Sequence, residues 1–366
     1  MKSDGPIILV VGARPNFMKI APLYRELENR KIPILLLHTG QHYDENMSKV
    51  FFDDLGMPEP DIYLGIGSGS HATQTAKVMI EFEKICNQYN PPIVVVVGDV
   101  NSTVACSIVC AKLLIKCAHV ESGLRSHDRE MPEEINRIIT DSISNILFTP
   151  SYDGNLNLEK EGVPKDRIYL VGNIMIDSLH HNVEKSKSSK ILENLDLKRG
   201  EYSVLTLHRP SNVDNIDVLM NICGALEEIT KINSVVFPSH PRTTKQLKKF
   251  DLFEKLSQMS NLHLIEPCGY IDFMSLVSNS HFVMTDSGGL QEETTALGIP
   301  CLTIRENTER PITITEGTNT LVGSDSERII SSVNGIINNG GKRGKVPKLW
   351  DGKTAIRITN ILETFL

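Results

Sequence analysis

The sequence predicts an α/β protein with two Rossmann-like domains facing a central cleft. Three observations lead there. The 366 residues exceed what one core of roughly 150 residues accommodates, which points to two domains. Short apolar runs rich in β-branched residues alternate with longer segments of helical spacing, the pattern of a parallel sheet covered on both faces. That alternation occurs twice, on either side of a polar tract at 182–200 that contains Lys185-Ser186-Lys187-Ser188-Ser189-Lys190.

In the first half, strands are expected at 7–11, 34–38, 93–97, 118–120 and 146–149, and helices at 15–29, 44–54, 71–87, 101–114 and 133–144. The run at 7–11 stops at Gly12-Ala13-Arg14-Pro15, so it reads as a first strand rather than a signal peptide. The polar tract reads as the surface opening of the second domain. Beyond it, strands are expected at 203–207, 234–237, 262–265, 282–285 and 300–304, with helices between them, and a last apolar helix at 354–366 fits either domain by pattern. The division is 1–172, 173–350 and a terminal helix in 351–366. The carboxyl ends of both sets of strands then face the cleft.

Composition excludes several functions. Lys plus Arg number 38 against 45 Asp plus Glu, a formal charge of −7, so the basic footprint of a nucleic-acid binder is missing. No run approaches the roughly 18 apolar residues that span a bilayer. The seven cysteines are odd in number, scattered through apolar surroundings and without a C-x-x-C pair, which suits thiols in a reduced cytoplasm.

Two glycine-bearing turns carry the strongest chemical signals. Gly12 to Lys19 follows the first strand with Pro15 at a first helical position, and the open helix end with Arg14 and Lys19 favours an anion. It is not the G-x-G-x-x-G dinucleotide fingerprint, so no nicotinamide is expected. Asp286-Ser287-Gly288-Gly289-Leu290-Gln291-Glu292-Glu293 follows a strand and opens a helix. Ser287, Gly288 and Gly289 form a compact diphosphate cradle there, and Glu293 is spaced to accept both hydroxyls of a ribose diol.

Carboxylates gather at strand ends in the first half: Asp99, Glu121, and Glu133 with Glu134 where a helix begins. Carboxylates with separated pKa values can serve as acid and base, while Glu133 and Glu134 also suit the first turn of a helix by its dipole. His208 and His240 end strands of the second half and face the cleft by topology. The other histidines, His119 among them, show no paired spacing with Cys or carboxylates, so no metal is expected.

Together these segments resemble the non-hydrolysing UDP-N-acetylglucosamine 2-epimerases over nearly the whole chain. The resemblance rests on Gly-Ala-Arg-Pro-Asn-Phe-Met-Lys (12–19), Thr-Gly-Gln-His-Tyr (39–43), Gly-Asp-Val-Asn-Ser-Thr (98–103), His-Val-Glu-Ser-Gly-Leu-Arg-Ser (119–126) and Met-Pro-Glu-Glu-Ile-Asn-Arg (131–137). The second half adds Leu-His-Arg-Pro-Ser-Asn-Val-Asp (207–214), Asp-Ser-Gly-Gly-Leu-Gln-Glu-Glu (286–293) and Arg-Glu-Asn-Thr-Glu-Arg-Pro (305–311). It implies the glycosyltransferase-B architecture, a homodimer, a terminal helix that returns to the first domain, and a UDP-sugar substrate. It also implies that Arg14 and Lys19 lie near the nucleotide-sugar, that Asp99, Glu121 and Glu133 are acid and base groups, and that His208 and Arg310 face the diphosphate. Ser287, Gly288 and Gly289 then cradle that diphosphate and Glu293 holds the ribose.

The implied reaction explains the residue types. Carbon 2 of the sugar is not next to a carbonyl, so its proton becomes removable only as UDP departs from carbon 1. Anti elimination gives a 2-acetamidoglucal, and re-addition after protonation from the other face gives the 2-epimer, UDP-N-acetylmannosamine. Neither a nicotinamide nor a metal takes part. Many bacterial members bind a second substrate molecule as activator, at positions matching Gln41, Glu134, Arg209 and His240; here Asp44 stands for an expected glutamine and 67–70 lacks an expected arginine. Alternatives within the same residues are a hydrolysing epimerase, an epimerase of a modified UDP-sugar, a retaining glycosyltransferase and a non-catalytic nucleotide-sugar sensor.

Overall fold

The computed structural model describes residues 5–40, 52 and 55–366, with Arg14 through its backbone only. The helix expected at 44–54, together with Gln41 and Asp44, lies outside the described residues.

The chain forms two compact units, Met1–Ser178 with Lys348–Leu366, and Leu179–Pro347. The first holds strands β1 (Ile7–Val11), β2 (Ile34–His38), β3 (Ile62–Tyr63), β4 (Ile93–Val97), β5 (Lys116–Val120), β6 (Ile146–Thr149) and β7 (Ile168–Leu170). Their order is β3-β2-β1-β4-β5-β6-β7, and the paired strands run parallel. The second unit holds β8 (Tyr202–Thr206), β9 (Ser234–Pro238), β10 (Leu262–Ile265), β11 (Phe282–Thr285), β12 (Cys301–Thr303) and β13 (Asn319–Leu321). Its parallel order is β10-β9-β8-β11-β12-β13. Numbered within each unit, both sheets follow the Rossmann order 3-2-1-4-5-6, the first with one strand more. The direction of winding reverses between β1 and β4 and again between β8 and β11, and loops leaving the carboxyl ends there have no crossover above them, which opens a crevice for ligands.

Continuous burial explains why the central strands read as unbroken apolar runs: every residue of Ile7–Val11 and Ile93–Val97 is buried. On the helix-covered faces, Val78, Phe82, Ala105 and Cys106 fill one core of the first unit, and Leu219, Ile222, Leu226 and Val333 pack beneath the second sheet.

The boundary between the units falls within the helix Ile174–Ser186, later than residue 172. Its first turns belong to the first unit for a specific reason. The Asp177 carboxylate accepts the N–H groups of Thr354 and Ala355 at 3.1 and 2.8 Å, capping the helix Thr354–Glu363, and the Ser178 hydroxyl donates to the Met18 carbonyl. Trp350, almost fully buried, donates to the Pro150 carbonyl at 2.9 Å. The terminal segment is therefore a structural part of the first unit. The Lys-Ser tract, the end of the helix Ile174–Ser186 and the turn after it, lies at the opening of the second unit, as expected; Asn182 and Ser186 within it are buried.

Candidate functional site

At the first switch point, Asn16 organises the turn after β1. Its side-chain oxygen accepts the N–H groups of Gly12 and Ala13, both at 3.0 Å, and its amide nitrogen donates to the Val97 carbonyl at the end of β4. One side chain thus ties the two strands that flank the crevice. One turn further along the same helix, Lys19 is buried and its ammonium lies 2.5 Å from Glu121 Oε2. Gly98 makes this approach possible: at φ +66° its backbone is left-handed, and a Cβ there would sit 3.0 Å from Lys19 Nζ.

Glu121 combines two costly features. Its φ is 70°, a conformation that costs a non-glycine residue about 1–3 kcal/mol, and its Oε1 is buried with no hydrogen-bond partner among the described residues. A buried acceptor left unpaired is normally selected against, and among the described residues Oε1 stays open to a ligand group. Asp99 is about one-third exposed at its side chain and receives Arg137 Nη1 at 2.5 Å, while its carbonyl accepts the Asn136 amide at 2.9 Å. Glu133 is exposed at the start of the helix Pro132–Ile143 and has no ion pair or hydrogen bond among the described residues. No hydrogen bond joins these three carboxylates among the described residues.

Glu134 sits quite differently from its neighbour. It is buried and accepts the N–H groups of Ser126 and His127 at 3.0 and 2.9 Å and the Arg137 guanidinium at 2.6 Å. Burial works against its charge, yet the Ser126 N–H and Arg137 together hold the carboxyl below its ordinary value. Both oxygens are engaged in bracing the 126–127 loop.

At the second switch point, His208 follows β8 and Asp286 follows β11, and they meet. Asp286 is fully buried and accepts the backbone N–H groups of His208 and Arg209, the Asn212 amide, and His208 Nδ1 at 2.8 Å. Burial opposes its ionisation, but the His208 contacts hold it below the usual carboxylate range. With Nδ1 donating to Asp286, Nε2 is the ring nitrogen left to face a ligand; the side chain is 43% exposed. His208 is therefore an oriented half of a pair rather than a lone histidine. The His240 ring is 6.0 Å away, and its Nδ1 accepts the Arg242 N–H to cap the helix Pro241–Lys249.

The helix Gly288–Leu297 starts beside this pair. Ser287 donates its N–H to Thr285 Oγ1 at 2.9 Å, whereas the N–H groups of Gly288 and Gly289 belong to the first turn and meet no carbonyl of their own helix. A Cβ on Gly288 would sit 2.5 Å from Arg310 Nη1, so glycine lets that guanidinium lie against the helix end. Arg310 contacts Glu292 at 2.9 Å and also Glu309, which further receives Arg305 at 2.8 Å and Arg209 at 3.6 Å. Against burial, Arg310 and Arg305 hold Glu309 ionised. Three guanidiniums thus face two carboxylates, and the excess positive charge adds to the helix dipole in favour of an anion. Glu293 is buried, accepts the Tyr270 hydroxyl at 2.9 Å, and burial pushes its carboxyl up to about 7.

The chain matches the family model for UDP-N-acetylglucosamine 2-epimerase over residues 25–363. It belongs to that family. It is 44% identical to the UDP-N-acetylglucosamine 2-epimerase of Methanocaldococcus jannaschii, over 97% of this chain and 98% of that one. The crystal structure of the M. jannaschii enzyme in complex with UDP-GlcNAc and UDP is similar with a TM-score of 0.90 and 43% identity, covering 98% of this chain and 99% of that one. A UDP-2,3-diacetamido-2,3-dideoxy-D-glucuronate 2-epimerase of Pseudomonas aeruginosa is 38% identical, over 89% of this chain and 90% of that one.

Sequence reading missed Asn16, Arg137, His119, Asp141 and Asp286 as participants. The signal available for Asp286 was a carboxylate ending the strand next to that of His208. For Arg137 and Asp141 it was the four-residue spacing that puts both on one helix face.

Proposed function

We propose that the protein interconverts UDP-N-acetylglucosamine and UDP-N-acetylmannosamine in an epimerase of this family. A carboxylate takes the proton from carbon 2 while the bond from carbon 1 to the diphosphate oxygen breaks, and UDP leaves with the electron pair. The 2-acetamidoglucal then gains a proton at carbon 2 from the opposite face, and UDP returns to carbon 1. The observation that carries this reading is Glu121: a buried carboxylate in a left-handed residue, with Oε2 on Lys19 and Oε1 without a partner among the described residues. Asp99 and Glu133 are the further acid and base candidates. The second unit supplies the hold on UDP: His208 Nε2, Arg310, the N–H groups opening at Ser287 to Gly289, and Glu293 on the ribose. Arg14 and Lys19 are assigned to the sugar end. Fixed charge of this kind stabilises a leaving group without reorganising.

Incubation with UDP-N-acetylglucosamine in deuterated water tests the reading: one deuterium enters carbon 2 of the product, and product with protium alone there sinks the elimination route. Asp99→Asn, Glu121→Gln and Glu133→Gln each lower turnover by about 10²–10⁴-fold if they transfer protons. The P. aeruginosa relative supports a second reading, a 2,3-diacetamido uronic acid in place of N-acetylglucosamine; turnover of that UDP-sugar in preference to UDP-N-acetylglucosamine decides for it. The same reading has a homodimer, checked by sedimentation, that supplies a precursor for polysaccharide synthesis. Seven cysteines without a disulfide fit a cytoplasmic setting.

A further inference from the structure

We propose that His119 is a positioning residue: as a buried, doubly protonated imidazolium it clamps the Gly98 carbonyl, and so holds the turn that carries Asp99 and admits the Lys19 ammonium. The proposal rests on the epimerase reading for its effect on turnover. It follows from which groups can donate.

The His119 ring is wholly buried on β5. Its Nδ1 lies 2.6 Å from Asp141 Oδ1 and its Nε2 2.8 Å from the Gly98 carbonyl oxygen. A backbone carbonyl only accepts. Asp141 accepts as well, because against burial His119 itself, together with Arg125 Nη1 at 2.7 Å and the Gly123 N–H at 3.0 Å on its other oxygen, holds it as the carboxylate. Both ring nitrogens must therefore donate, which a neutral imidazole cannot do. The charges balance along a chain: buried His119 and Arg125 are positive, buried Asp141 is negative, and the exposed Glu161 closes the far end on Arg125 at 2.7 Å.

Burial disfavours the charged ring, but the Asp141 carboxylate and then the Gly98 carbonyl outweigh it and hold the His119 pKa above the ordinary histidine value. The groups facing it are Asp141 from the helix Pro132–Ile143, Arg125 through Asp141, and Cys117 on its own strand, whose thiol Cys110 of the helix Asn101–Leu113 pulls down to about 7; the turn after β4 offers the Gly98 carbonyl, and the neighbouring β6 (Ile146–Thr149) has no titratable side chain.

The same helix grips this turn elsewhere. Asn136 donates to the Asp99 carbonyl and Arg137 to the Asp99 carboxylate, while Asp141 aims His119 at Gly98. Of these links, His119 is the one with a ring proton to lose, and against burial Asp141 and Gly98 hold that proton past the ordinary histidine range. When it loses a proton and keeps its bond to Asp141, the Nε2 lone pair faces the Gly98 oxygen, and attraction becomes repulsion. Turnover then falls on the alkaline side while nucleotide affinity, supplied by the second unit, is retained.

Two amides separate the ring's two bonds. The nitrogen of His119→Gln reaches the Nε2 position, and that of His119→Asn the Nδ1 position. His119→Gln is expected to keep most of its turnover and to lose the alkaline limb. His119→Asn is expected to lower turnover about 10–100-fold with UDP affinity unchanged, and to speed amide hydrogen exchange at residues 98–99 where His119→Gln does not. Ring nitrogen NMR on the wild-type protein, followed as pH rises through the ordinary value of about 6.5, should find one of the eleven histidines that keeps protons on both nitrogens beyond it, with that signal absent in His119→Gln. Neutral rings throughout, equal exchange at 98–99 in both variants, or an alkaline limb that survives in His119→Gln would each overturn the proposal. The NMR and exchange results decide it independently of whether UDP-N-acetylglucosamine proves to be the substrate.

Discussion

Replacing Glu293 by glutamine should abolish a pH dependence that the second unit builds into nucleotide-sugar binding. Burial pushes this carboxyl up to about 7; the Tyr270 hydroxyl pulls the other way, and Glu292 adds to the rise. A ribose diol offers two hydroxyl donors, which only the ionised carboxylate accepts side by side. With a value of about 7, roughly nine-tenths of the sites are ionised at pH 8 and roughly one-tenth at pH 6. Affinity should then fall about tenfold, or about 1.4 kcal/mol, between those pH values. UDP-N-acetylglucosamine is the ligand of choice, because its diphosphate is esterified at both ends and gains no proton in this range. Calorimetric titration of wild type and Glu293→Gln at constant ionic strength isolates the carboxylate, since every other group is common to both. Tyr270→Phe removes the donor that favours the ionised form, so its midpoint should move to higher pH. If wild type and Glu293→Gln follow the same pH curve, the carboxylate does not hold the ribose. The stability effect has a definite sign. The folded value lies above the unfolded value of about 4.3, so the native state binds the extra proton and loses up to about 3–4 kcal/mol as pH rises from about 4 to 7. Glu293→Gln should therefore unfold at higher urea than wild type at pH 8 and lose that advantage near pH 4.

The buried Lys19–Glu121 pair should be coupled: Lys19→Met and Glu121→Gln each destabilise by about 3–5 kcal/mol because one buried charge is left alone, while the double variant recovers much of the loss. Additive losses in urea unfolding would mean that the two groups do not depend on each other. Activation by a second substrate molecule should be weak, because Glu134 and Arg209 are engaged within the protein and His240 caps a helix. The reverse reaction from UDP-N-acetylmannosamine, run with and without a trace of the other epimer, measures it, and a strong requirement for the trace would show that those contacts open.

Central strands were legible because burial on both faces leaves only apolar residues, as in Ile7–Val11 and Ile93–Val97. Three of the four edge strands were not: Ile62–Tyr63, Ile168–Leu170 and Asn319–Leu321 are two or three residues long and partly exposed, too short for any period to register. Lys116 begins β5 from an exposed position, which hid the start of that strand. At the site, glycines and strand-end side chains were visible because topology puts them there. Their partners were not. His208 and Asp286 stand 78 residues apart, and nothing local distinguishes a carboxylate that orients a histidine from one that caps a turn. His119 was hidden for the opposite reason, since a histidine inside an apolar strand reads as a core residue until its two acceptors are seen.

On the proposed reaction, reversibility explains why the arginines at the proposed diphosphate site are so heavily compensated. An enzyme that releases UDP from carbon 1 and then returns it must keep the diphosphate bound yet reactive. Three bare guanidiniums would hold the departed UDP too firmly for the return step, because binding that stabilises an intermediate as much as its transition state gains no rate. Glu309, placed among Arg209, Arg305 and Arg310, removes one unit of that charge and Glu292 on Arg310 removes another. What remains is a modest positive excess on arginines already locked in place. The energy of building the site is met during folding, and the arriving ligand finds donors that need not move. On the proposed proton-transfer side the balance differs: Glu121 has one oxygen on a lysine and one with no partner among the described residues, open to a group of the substrate.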